Sequence, residues 1–133
     1  MPYRMIEHTA DLCFEVTAGS YGELLAEALR AMTEWTGPSW GSGSAERHIT
    51  VVSPDRTMLM VDLLNEALTL SQIHHEAYDR FEQDVLEEHL VSGRLMGFPV
   101  VALRDEIKAV TYHGADVGRL SDGSWTATIL MDI

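Results

Sequence analysis

The sequence predicts an α/β (α+β) domain, a two-layer sandwich with two helices packed on a largely antiparallel mixed β-sheet. Three observations carry that expectation. The segments run strand, helix, strand, helix and then only strand-like stretches. Two helices for a sheet of five to seven strands suit one helical layer on one sheet face. The second half has none of the crossover helices that a doubly wound parallel sheet needs.

Each element has its own warrant. Leu12-Cys13-Phe14-Glu15-Val16-Thr17-Ala18 alternates as a first long strand and stops at Gly19. Ser20-Tyr21-Gly22-Glu23 matches a capping box, with Ser20 bonding forward and Glu23 bonding back. In the helix that follows, Leu24, Leu25, Ala28, Leu29, Met32 and Trp35 form the buried side, and Glu23, Glu27, Arg30 and Glu34 face water. Residues 37–44, rich in Gly and Ser, break that helix and read as a loop, from which Trp40 is expected to pack back onto the core. Arg47–Val52 is a second strand. Ser53-Pro54-Asp55 opens a second helix, with Pro54 at its first position, running to about Ala77. Met60, Leu63, Leu64, Ala67, Leu68 and Leu70 supply its buried side, while Asp62, Asn65, Glu66, Thr69 and Gln72 make a polar stripe. Tyr78–Leu86, Glu88–Met96, Asp105–His113 and Ser124–Met131 are strand-like. Asp122-Gly123 marks the last hairpin turn.

Residues 1–133 have the size of a single domain with one core. No apolar stretch reaches the roughly 18–20 residues of a membrane helix, and the N-terminus has no signal-peptide core, so a cytoplasmic protein is expected. Cys13, the single cysteine, is expected to be a core thiol. Nine Lys+Arg against 21 Asp+Glu give a formal net charge of −12. That balance argues against strong direct nucleic-acid binding, which rests on a basic footprint. It fits a basic partner, a cation, or solubility alone.

No glycine-rich phosphate loop or nucleophile elbow is present. The six histidines are scattered, and His74-His75-Glu76 reads as a solvated helix end. Three segments are less ordinary. His8-Thr9-Ala10-Asp11 puts an acid at the start of the first long strand. Glu106-Ile107-Lys108-Ala109-Val110-Thr111-Tyr112-His113 places Lys108 in a strand pattern, on one face with Glu106, Val110 and Tyr112. The sequence stops at Asp132-Ile133 directly after an apolar run, which carries the terminal carboxylate and the Asp132 side chain to a sheet edge. Two anions at 4 Å repel by roughly 4 kcal/mol at an effective dielectric near 20. A hard divalent cation would relieve that, and so would solvation at an exposed strand end.

These three segments, together with Val61-Asp62-Leu63-Leu64-Asn65-Glu66-Ala67-Leu68 in the middle helix, resemble the archease family from about residue 5 to the last residue. The resemblance implies an accessory protein, not itself an enzyme, of the GTP-dependent RNA ligase of tRNA splicing and RNA repair. Archeases promote attachment of GMP to the ligase and its repeated turnover. The resemblance also implies a divalent cation, calcium in crystals with magnesium or manganese as alternatives, held by Asp11, Asp132 and Ile133. Lys108 is then the functionally important lysine and His8 a further candidate contact. Two other readings stay open on the residues alone: a small metal-dependent hydrolase using the same acids, and a metal-free chaperone-like protein-binding module.

Overall fold

A computed structural model describes residues 2–7 and 11–133. Ten elements follow one another: β1 (Tyr3–Glu7), β2 (Asp11–Ala18), α1 (Tyr21–Thr36), β3 (Pro38–Trp40), β4 (Ala45–Val52), α2 (Arg56–His74), β5 (Glu76–Leu86), β6 (Leu90–Leu103), β7 (Ala109–Arg119) and β8 (Trp125–Asp132). The α+β class is as expected, and every strand pairing among the described residues is antiparallel. The strands make two four-stranded sheets where the sequence suggested one. The first has the order β1-β2-β8-β7; in the second, β4 and β5 flank β6, and β3 pairs with the last residues of β6.

The helices join the two sheets. α1 packs on β2 and β8 of the first sheet and on β5 of the second; α2 packs on β7 of the first and on β5, β4 and β6 of the second. This double contact explains α2's composition. Leu59, Met60, Val61, Leu63, Leu64 and Ala67 are buried although they do not lie on a single stripe, since a helix covered on several sides needs apolar residues on several sides. The core of the first sheet is supplied by Leu12, Phe14 and Val16 of β2 facing Met131, Ile129 and Ala127 of β8.

Local signals set most of the boundaries. Ser20 caps α1 by accepting the Glu23 N–H at 3.1 Å, and Glu23 reaches back to the Gly19 N–H at 3.3 Å. Gly37, at φ 58°, ends the helix in the left-handed region that favours glycine. Asp55, rather than Pro54, opens α2, accepting the Met58 N–H at 2.8 Å. α2 stops at His74, three residues before the expected end, because His75 turns left-handed and β5 begins at Glu76. Trp35 is half-buried and packs against the core without being enclosed by it. The 37–44 segment holds the short strand β3, and Trp40 packs edge-on against Phe98 at 5.3 Å while staying 42% exposed, so it covers β6 outside the core. The Asp122-Gly123 turn forms as expected, with Asp122 accepting from the Ser124 N–H at 2.9 Å. No helix among the described residues is long and apolar enough to cross a membrane.

Candidate functional site

β2 and β8 are the two central strands of the first sheet, and their register sets the site. Asp11 lies directly opposite Asp132, and Asp132 lies directly opposite Ala109 of β7. Directly opposed residues of an antiparallel pair share a face, with Cβ atoms roughly 4.5–5.5 Å apart. Leu12 and Met131, one step along, belong to the core beneath the helices, so alternation puts Asp11 and Asp132 on the other face. Both are half-buried, and neither is paired with a basic side chain among the described residues. Ile133 follows β8 and is 47% exposed.

Lys108 sits beside this pair through its backbone, donating its N–H to the Asp132 carbonyl at 2.8 Å. It precedes β7 instead of lying within a strand, which corrects the alternation argument: Ile107 and Val110 are buried, three apart, while Glu106 and Lys108 are exposed. Tyr112 is also exposed, its hydroxyl donating to Asp62, and that hydrogen bond is the main reason the phenol is held above its ordinary range. His8 lies outside the described residues.

Asn65 is a site residue that the sequence pattern gave only as part of a polar stripe. Its side-chain amide donates to the Val110 carbonyl at 2.8 Å, and its carbonyl accepts the Val110 N–H at 2.9 Å. This pair of hydrogen bonds ties α2 to β7 two residues beyond Lys108. Asp62, one turn earlier, accepts from Ser53 and Tyr112. Asp62 and Asn65, at i and i+3 among the buried residues of the first half of the helix, are the sequence signal of this clamp.

Two further residues are structural. Cys13 is buried, and burial raises its thiol pKa, as expected of a core thiol. Glu76, expected to be solvated, is buried and forms a two-point ion pair with Arg47 at 2.9 and 2.8 Å, and Tyr78 donates to it at 2.8 Å. The Arg47 hydrogen bond is the main reason its carboxyl is held below the usual range. His74 and His75 are exposed.

Two carboxylates opposed at the ends of central strands supply oxygen donors of the kind a hard cation takes. Among the described residues, no group of three or more His, Cys, Asp or Glu side chains is placed to hold a metal.

The class these observations define is a two-helix α+β domain with an opposed carboxylate pair at one end of its central strands. The chain belongs to the Archease protein family, whose model matches residues 3–133. It is 33% identical to the archease of Methanopyrus kandleri, over 100% of both chains. It is 31% identical to that of Methanosarcina mazei, over 98% of this chain and 95% of the relative. The crystal structure of a Thermotoga maritima archease, described as a possible chaperone, superposes with a TM-score of 0.71 at 25% identity, covering 98% of this chain and 96% of that one.

Proposed function

We propose that this protein is an accessory factor of a GTP-dependent RNA ligase in tRNA splicing and RNA repair, and that it acts from a cytoplasmic location. In this reading it promotes attachment of GMP to the ligase and permits repeated turnover. The observation that carries it is the Asp11–Asp132 register, in a chain that matches the archease family over residues 3–133. The acids of two segments far apart in sequence meet at one strand end, where a hard cation suits them.

Asp11, Asp132 and the Ile133 carboxylate would hold a divalent cation, calcium by family resemblance, which would neutralise the acid pair and offer a positive charge to a phosphate or a partner carboxylate. Lys108, bonded to the Asp132 carbonyl through its own N–H, would bring a second cationic group to the pair. The charge of −12 supports docking on a protein whose RNA-binding cleft is basic.

The test is a ligase guanylylation assay with and without this protein. Addition should raise the yield of GMP adduct and the number of turnovers, and Asp11→Ala with Asp132→Ala should remove the gain. Full stimulation by that double variant would reject the acid pair. A C-terminal tag should also impair stimulation while leaving the thermal transition in place. Isothermal calorimetry with calcium alone gives an independent readout of the cation, expected for the native chain and lost in Asp132→Ala.

A further inference from the structure

A second part of the molecule, outside the acid pair, has the form of a docking groove. A cavity of about 170 Å³ lies between the last turns of α1 and α2, with Leu29, Met32, Leu68 and Ile107 among its walls. A second, of about 290 Å³, lies between the last turn of α2 and residues 100–103 of β6. Ser71, Gln72, Leu103 and Glu106 line both. An apolar cavity of roughly 150 Å³ holds a benzene ring, so the first has the size for one side chain rather than a drug-sized ligand.

Two features define what fits. The first is an open strand edge. The Val100 N–H donates to the His75 carbonyl at 2.8 Å, the last rung between β5 and β6. Beyond it no strand pairs with β6 on the β5 side among the described residues, and Val101 is 76% exposed. An edge of this kind accepts an extended chain. The second is charge. Both helices end at the groove, so the negative ends of two helix dipoles converge there. Glu106 has no cationic partner among the described residues. Arg104 serves the Trp35 carbonyl and pairs with Asp105, and Arg47 is committed to Glu76. The groove therefore has apolar walls, polar groups from Thr33, Thr36, Ser71 and Gln72 between them, and negative charge at its mouth.

We infer that this groove binds an extended segment of a partner protein, which lies along residues 100–103 and places one Lys or Arg side chain in the cavity against Glu106. The aliphatic stem of such a side chain suits the apolar walls and its charge suits the mouth. The groove is distinct from the acid pair: the 104–108 connection separates them, so one partner could occupy both.

The experiment uses the full chain, ¹⁵N-labelled, titrated with a blocked pentapeptide of alternating threonine and valine with a central lysine, with the same peptide carrying a central glutamate, and with spermidine. Amide shifts should concentrate in residues 71–76 and 100–107. The lysine peptide should bind at least about tenfold tighter than the glutamate peptide, as a charge-assisted contact implies. Glu106→Lys, at an exposed site, should reverse that order with the thermal transition unchanged. Absence of shifts at millimolar peptide, shifts elsewhere, equal affinities, or an unreversed order in Glu106→Lys would each overturn the inference. Spermidine binding as tightly as the lysine peptide would also overturn it, since the strand edge would then contribute nothing.

Discussion

Asn65 joins α2 to β7 through both halves of the Val110 backbone, and the acid pair depends on where β7 lies. Asn65→Ala leaves a partly buried N–H and carbonyl without partners, a loss of about 1–3 kcal/mol. We expect its thermal transition to drop by about 3–10 °C, and ligase stimulation to fall even where the variant is fully folded, because Lys108 would no longer be fixed beside Asp132. Unaltered stimulation in a folded variant would show that the clamp serves stability alone. Glu76 makes a different prediction. Its native carboxyl is held below the ordinary range by Arg47, so between its native and unfolded pKa values the unfolded chain binds more protons. The pair then contributes in full above the ordinary glutamate value, and that contribution is lost as pH falls through the depressed native value. Urea midpoints should decline on acidification in this window, and Glu76→Gln should show a flatter decline there.

At the scale of elements, the paired glycines of β6 fix how closely β5 can approach. A Cβ on Gly97 would sit 1.9 Å from the Ala77 carbonyl oxygen, and one on Gly93 would sit 2.1 Å from that of Glu82. These are backbone atoms that cannot swing aside. Gly97→Ala should cost more than about 3 kcal/mol or prevent folding, whereas Gly118→Ala in β7, where a Cβ meets nothing within 4 Å, should be neutral or stabilising by up to about 1 kcal/mol. Chemical denaturation of the two variants separates the cases. These glycines also show where local reading ran out. Ser20, Gly37 and Asp122-Gly123 announced a cap, a helix end and a turn, since each acts on neighbours within a few residues. Asp55 was legible as an acid in the first turn, though not as the cap itself. Residues 100–103 of β6, the short β3 and the division into two sheets were not legible, because they depend on partners far away in sequence. Alternation failed at Lys108 because the segment leading into β7 is not yet a strand. The acid pair was legible only in part: each acid stood at the end of a strand pattern, but the direct opposition of Asp11 and Asp132 is a property of register, which one strand alone does not carry.

For the molecule as a whole, the charge of −12 acts over the surface. If docking on a basic ligase sets encounter, the association rate should fall several-fold between about 50 and 500 mM salt, while the dissociation rate changes much less. A rate independent of salt, followed by stopped-flow fluorescence, would exclude electrostatic steering. The interleaving of the first sheet has a further outcome, one for the birth of the chain. β2 is made early and pairs at once only with β1; its other neighbour is β8, the last strand. Throughout most of translation, β2 leaves the ribosome with one bare edge and the apolar row of Leu12, Phe14 and Val16 uncovered on one face. The nascent protein is most open to mispairing while its first hairpin waits for its last strand, and premature release of the chain before β8 is made would leave that hairpin permanently without its partner.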